Sequence, residues 1–249
     1  MNNPKVALIT GSSRGIGAQT AKLFAQNGYA IVLNYQHSQE AADELQKEIT
    51  NLGVTCIAVK ADVPNESDVS ALFSAADKLG TLSVLVNNAG ILNTQAKLED
   101  ISVDRFKQVL EVNVLSCFLC TKEAVKRMSI KYGGTGGTIV NVSSGAAKTG
   151  SPHEYTDYAA SKGAMDTFTI GTAKEYAAEG IRINAVRPGL IYTDMHASGG
   201  EPNRVDRLKQ NLPLKRGGET HEVAEAILWL ASDKSSFVTG SFIDTTGGL

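Results

Sequence analysis

An unbroken apolar tetrad, Val6-Ala7-Leu8-Ile9, runs directly into Thr10-Gly11-Ser12-Ser13-Arg14-Gly15-Ile16-Gly17, and this junction constrains the fold more than any other stretch of the chain. Four consecutive apolar residues suit a parallel strand buried on both faces, and Ile16, Leu23 and Phe24 mark a helix after it. Glycines between the two permit a tight turn and a close approach of the backbone to a pyrophosphate, while the helix start presents unpaired N–H groups. Strand, glycine loop and helix in that order read as a dinucleotide site. The spacing is G-x-x-x-G-x-G, not G-x-G-x-x-G.

Beyond this junction, strand and helix patterns take turns. Strands are expected at about 5–10, 30–34, 54–60, 82–87, 137–143 and 181–186, and helices at about 15–27, 39–52, 66–79, 103–131, 158–178 and 220–231. Val69, Leu72, Phe73, Ala76 and Leu79 have the spacing of a helix packed on a sheet, as do Val223, Ile227 and Leu230. Repeated strand–helix units with short connections require a parallel sheet covered on both faces, an α/β doubly wound fold. With 249 residues, 42% of them hydrophobic, a single domain over 1–249 is expected. The stretch from about 193 to 218, with Gly199, Gly200, Pro202 and Pro213, is too long for an ordinary connection and reads as a lid.

A formal charge of −2 and the lack of any Lys/Arg run argue against nucleic acid as a partner. No apolar run is long enough to cross a membrane and the N-terminus has no leader pattern, so a soluble cytoplasmic protein is expected. Cys117-x-x-Cys120 falls mid-helix, without the strand-to-helix context of a redox motif, and both thiols, like Cys56, read as small core residues. His37, His153, His196 and His221 are scattered, with no helical pairing, so no metal site is expected.

Tyr158 and Lys162 stand at i and i+4, on one helix face. Bringing a tyrosine from about 10 to working pH takes roughly 4 kcal/mol, and one cation about 4 Å away supplies energy of that order at an effective dielectric of about 20. Tyr158 is thus a candidate acid/base. Tyr155, followed four residues later by Ala159, is not.

Thr10-Gly11-x-x-x-Gly15-x-Gly17, Asn87-Asn88-Ala89-Gly90, Asn113, Ser144, Tyr158-x-x-x-Lys162 and Pro188-Gly189, in this order, resemble the short-chain dehydrogenase/reductase family. The resemblance spans the chain, reaching a last strand around Thr239-Gly240-Ser241-Phe242-Ile243-Asp244, and implies a Rossmann-type sheet of about seven strands. It also implies a nicotinamide cofactor and catalysis by Asn113, Ser144, Tyr158 and Lys162. Tyr158 would exchange a proton with a carbonyl or alcohol oxygen, Ser144 would hydrogen-bond that oxygen, Lys162 would favour tyrosinate and hold the nicotinamide ribose, and Asn113 would hold a water leading to solvent. The interval from Ser144 to Tyr158 is fourteen, one more than is common in the family, and the extra residue is placed near Ser151-Pro152-His153. Ser143 is the weaker candidate serine.

For the cofactor the resemblance implies Gly11, Ser13, Arg14, Gly15, Ile16 and Gly17 at the pyrophosphate, Asp62 and Val63 at the adenine, and Asn88, Ala89 and Gly90 along the other side. Pro188, Gly189, Ile191 and Thr193 would sit at the nicotinamide carboxamide. The end of the second strand, Leu33-Asn34-Tyr35-Gln36-His37-Ser38, has no carboxylate before Glu40, which favours NADP over NAD. Arg14 with Gln36, His37 or Ser38 would face the 2′-phosphate; Arg14 as a solvated charge and Ser38 as a helix cap are the alternatives. The expected protein is an NADP-dependent oxidoreductase of small carbonyls or secondary alcohols, in a branch resembling β-ketoacyl carrier-protein reductases and glucose or sugar dehydrogenases, assembled as a homotetramer by family analogy. A catalytically silent dinucleotide-sensing protein is the reading from another class.

Overall fold

The computed structural model describes residues 3–249. Strands β1 (Lys5–Ile9), β2 (Ala30–Tyr35), β3 (Cys56–Lys60), β4 (Thr81–Asn87), β5 (Gly137–Val142), β6 (Ile181–Pro188) and β7 (Phe242–Thr245) form one sheet in the order β3-β2-β1-β4-β5-β6-β7. Every neighbouring pair is parallel. Parallel neighbours cannot be joined by hairpins, so the connections cross the faces as helices. These are α1 (Gly15–Gln26), α2 (Gln39–Thr50), α3 (Glu66–Asp77), α4 (Val103–Leu110), α5 (Ser116–Met128), α6 (Ala146–Thr149), α7 (Thr156–Tyr176), α8 (Met195–Ser198), α9 (Arg204–Leu208) and α10 (Thr220–Ala231).

The period of two along β1 feeds two cores. Val6 and Leu8 belong to the core that holds Val69, Leu72 and Phe73 of α3 and Leu119 of α5. Ala7 and Ile9 join Phe24 of α1, Ile49 of α2 and Ile227 of α10 on the other face. Both faces are thus sealed, as the apolar tetrad requires. Cys56, Cys117 and Cys120 are buried as expected. None of the helices among the described residues is long and apolar enough to cross a membrane.

Three local features depart from the expected elements. The single helix expected over 103–131 is interrupted by a π turn at Glu111–Leu115, between α4 and α5. Nothing in Val103–Leu115 breaks a helix, so the sequence pattern does not announce the turn, within which Asn113 Oδ1 accepts from Ile91 N–H on the chain leaving β4. Helix α7 starts at Thr156, two residues before Tyr158. The 193–218 span is partly helical, through α8 and α9. Ser151 and His153 adopt φ of 43° and 65°, a left-handed conformation costly for residues other than glycine, in the loop where the extra residue was placed.

The chain builds outward from β1 to β2 and β3 and then crosses to β4 on the other side of β1, so the carboxyl ends of β1 and β4 open a crevice at the point where strand order reverses.

Candidate active site

At that crevice the glycine loop is stitched to three strands. Gly11 N–H donates to Asn34 Oδ1 at 3.0 Å, and Asn34 Nδ2 donates to the Ala61 carbonyl at 3.0 Å. Asn88 Nδ2 donates to the carbonyls of Thr10 and Gly11 at 2.8 and 2.9 Å, while Thr10 Oγ1 accepts from the N–H groups of Asn88 and Ala89. Gly11 and Gly15 have φ of 59° and 58°, and a β-carbon at Gly11 would stand 2.9 Å from Ala89 Cα. Only glycine fits there. Helix α1 then begins with no side-chain cap on its N–H groups, which leaves them for an anion.

A cleft of about 480 Å³ runs over this loop. Gly11, Ser13, Arg14, Gly15 and Ile16 line it, with Gln36, His37 and Ser38 after β2, Asp62 and Val63 after β3, Asn88, Ala89 and Gly90 after β4, and Thr193 after β6. Ser38 stands at the start of α2 but makes no capping bond, so its hydroxyl is not spent as a cap. Arg14 is exposed at the lip. The glycine cradle, the free helix start and the polar rim fit a dinucleotide.

Of the other expected cofactor residues, Gly17, Pro188, Gly189 and Ile191 are held by packing and backbone bonds. Gly17 is buried against the loop. Gly189 N–H donates to Thr245 and the Pro188 carbonyl accepts from Gly145, so both tie β6 to its neighbours. Ile191 is buried, and its carbonyl bonds His196 Nε2 at 3.0 Å. Sequence reasoning missed Asn34, whose signal is a lone amide in an otherwise apolar strand, and the wall residues Leu92, Gln108 and Val112; Met195 and Ser198 of the same wall belong to the expected 193–218 span.

Tyr158 and Lys162 do not line this cleft; they stand next to it, past Gly90. A β-carbon at Gly90 would lie 3.2 Å from Asn113 Oδ1 and 3.5 Å from Lys162 Nζ. Asn113 is fully buried: Oδ1 accepts from Ile91 N–H at 2.8 Å, and Nδ2 donates to Ser161 Oγ at 3.0 Å and to the Ile91 carbonyl at 3.2 Å. The amide therefore clips the β4 exit to α7. Ser144 Oγ accepts from Ala146 N–H at 3.1 Å and lies beside the Tyr158 hydroxyl. Ser143 Oγ is turned away, donating to the Lys162 carbonyl at 3.3 Å.

The expected depression of Tyr158 by its cationic neighbour is not what the geometry yields. Lys162 Nζ donates to the Val142 carbonyl at 2.8 Å and lies 5.6 Å from the centre of the Tyr158 ring. Burial pushes the Tyr158 phenol above its ordinary value, and only the Ser144 hydroxyl opposes it. Burial also draws Lys162 down to about 8, against the pull of Cys117 and Asp166. Desolvation dominates, and the lysine amine is engaged by the Val142 carbonyl. The phenol holds its proton at neutral pH, and Lys162 is still mostly protonated there.

Comparison with known proteins places this geometry in a class. The family described as enoyl-(acyl carrier protein) reductase matches residues 11–249. The chain belongs to the short-chain dehydrogenase/reductase family and is an NAD(P)-dependent oxidoreductase acting on CH–OH groups. It is 57% identical over 244 residues to the uncharacterized oxidoreductase YgfF of Escherichia coli (strain K12), covering 98% of this chain and 99% of that one. A 3-ketoacyl-(acyl-carrier-protein) reductase from Brucella melitensis, solved with NADH, superposes with a TM-score of 0.90 at 31% identity, covering 99% and 98% of the two chains. A short-chain dehydrogenase from Burkholderia cenocepacia, solved with NADP, does so with a TM-score of 0.89 at 31% identity, covering 98% and 97%.

Proposed function

We propose that the protein interconverts a small carbonyl compound and its secondary alcohol with NADP, Tyr158 serving as the acid/base. The observation that carries this reading is the convergence of Ser144, Tyr158, Lys162 and Asn113 beside Gly90, at the margin of the cleft. When bound, the nicotinamide supplies the hydride for reduction and accepts it in oxidation.

Tyr158 Oη holds the proton that passes to the substrate oxygen as charge develops there, and takes it back in the reverse direction. A phenol kept protonated by burial suits the reducing direction. Ser144 Oγ hydrogen-bonds the same oxygen, a fixed donor where negative charge grows. Lys162 Nζ, 5.6 Å from the centre of the Tyr158 ring, would hold the nicotinamide ribose. Asn113 holds the Ile91 main chain and Ser161 in register, and so fixes Gly90 relative to Lys162.

The preference for NADP is supported by the rim. No carboxylate occurs from Asn34 to Ser38 to repel a 2′-phosphate, and exposed Arg14 lines the same cleft as Gln36, His37 and Ser38. The 193–218 span acts as a lid, with Met195 and Ser198 in the cleft wall. Assembly as a homotetramer is supported by exposed apolar side chains at Phe106 on α4, Leu115 in the π turn, Phe118 on α5 and Ile170 on α7.

The test is to mix the protein with NADPH or NADH and a panel of ketones, diketones and acetoacetyl thioesters and follow absorbance loss. Turnover faster with NADPH and lost in Tyr158→Phe is expected. Turnover surviving that substitution removes Tyr158 from the reaction, and silence across the panel favours the dinucleotide-sensing reading.

A further inference from the structure

We propose that Arg204 is a positioning residue, the hub of a clasp that fastens the lid to the loop entering α7 and so holds the cleft wall formed by Leu92, Met195 and Ser198. This rests on the reading of Tyr158 as the acid/base.

Three segments distant in sequence meet at Arg204: the chain leaving β4, the loop before α7 and the lid. Arg204 Nη1 donates to Glu154 Oε1 at 3.0 Å and to Glu201 Oε2 at 2.9 Å, and Nη2 donates to Glu154 Oε2. Its guanidinium carbon lies 5.1 Å from the centre of the Tyr155 ring. Tyr155, itself buried, donates its hydroxyl to the Gly199 carbonyl at 3.2 Å. From the β4 side, Gln95 Nε2 donates to Glu201 Oε2 at 2.8 Å, and Ala96 N–H donates to the Glu154 carbonyl at 3.0 Å. The backbone turn at Gly199 is pressed so closely on this junction that a β-carbon there would lie 2.9 Å from Leu92 Cδ2.

The clasp lies at the reacting end of the molecule. Leu92 lines the cleft with Met195 and Ser198 of the lid, so whatever holds Gly199 against Leu92 holds that wall. Glu154 and Tyr155 immediately precede α7, and Tyr158 is its third residue. Ser151 and His153 keep their left-handed backbone in the same loop, a conformation that persists only where surrounding contacts over-determine it. Arg204 is only 9% exposed, and a bidentate, stacked guanidinium at a buried position resists screening by salt in a way that rim pairs do not.

The experiment compares wild type with Arg204→Gln, Arg204→Lys, Glu154→Gln and the Arg204→Gln/Glu154→Gln pair. Glu154→Gln leaves the Arg204–Glu201 bond in place and serves if Arg204→Gln does not fold. Hydrogen exchange of the full chain is read over 151–155 and 195–208, together with carbonyl KM, kcat and the NADPH dissociation constant. Arg204→Gln is expected to speed exchange in both segments and to raise carbonyl KM by about tenfold, with smaller changes in kcat and in NADPH affinity. Lysine recovers only part of this, lacking the planar fork, and the pair is no worse than the poorer single variant. Unchanged exchange in both segments, or an unchanged KM in a folded variant, overturns the clasp. If wild type reduces no carbonyl, the acid/base reading fails while the exchange arm still judges the clasp.

Discussion

The carboxamide of Asn88 occupies the space that a side chain at Gly17 would need: a β-carbon there would stand 2.5 Å from Asn88 Nδ2 and 2.8 Å from the Gly11 carbonyl. Helix α1 can approach the glycine loop only because position 17 is bare. Gly17→Ala is therefore expected to destabilise the fold by about 1–3 kcal/mol and to weaken dinucleotide binding, although alanine is the better helix former. Urea unfolding and NADPH titration check it; wild-type stability in the variant would contradict this packing.

The two adjacent serines are separated by where their hydroxyls point. Ser144→Ala is expected to lower kcat by about 10²–10³-fold, the cost of a lost donor at a developing oxyanion. Ser143→Ala, which loses only a bond to the Lys162 carbonyl, should stay within a few-fold of wild type. Steady-state kinetics of both variants decide the assignment, and a reversed order would transfer the role to Ser143.

Lys162 carries a stability cost that depends on pH. Its amine titrates near 8 in the folded chain against 10.5 ordinarily. Below pH 8 both folded and unfolded chains hold the proton, so the penalty for burying the cation, on the order of 3 kcal/mol, is fully felt. Between about 8 and 10.5 the unfolded chain binds more protons, and stability attributable to this group rises with pH. Lys162→Met should abolish turnover yet unfold at higher urea than wild type at pH 7, with the gain shrinking toward pH 10.5. A variant less stable than wild type at pH 7 would show that the bond to Val142 outweighs the buried charge.

Cofactor choice is expected to turn on two positions at the cleft rim. Arg14→Ala should raise the NADPH KM by about tenfold with little change for NADH, because a charge-assisted contact to the 2′-phosphate is lost. Gln36→Asp should push preference toward NADH by adding the carboxylate that β2 lacks. Paired kinetics with both cofactors test this, and equal losses for the two would remove Arg14 from discrimination.

The layered sheet was legible because it is written in short-range patterns: the apolar tetrad, the 3.6-residue stripes of α3 and α10, and glycines where the backbone must turn. Local sequence has no such mark for the π turn at Asn113, whose bond runs to Ile91, twenty-two positions away. The clasp spans wider gaps still: Arg204 meets Glu154 across 50 positions and Gln95 meets Glu201 across 106. The sequence by itself determined the fold, the identity of the polar residues and their order, since periodicity and spacing are properties of neighbours along the chain. Only the tertiary structure decided that Lys162 turns to Val142, that burial raises the Tyr158 phenol, that Gly17 packs against Asn88, and that Tyr155 anchors the lid. Each of those depends on burial and on which distant groups share one small volume, and desolvation is a property of the packed molecule alone.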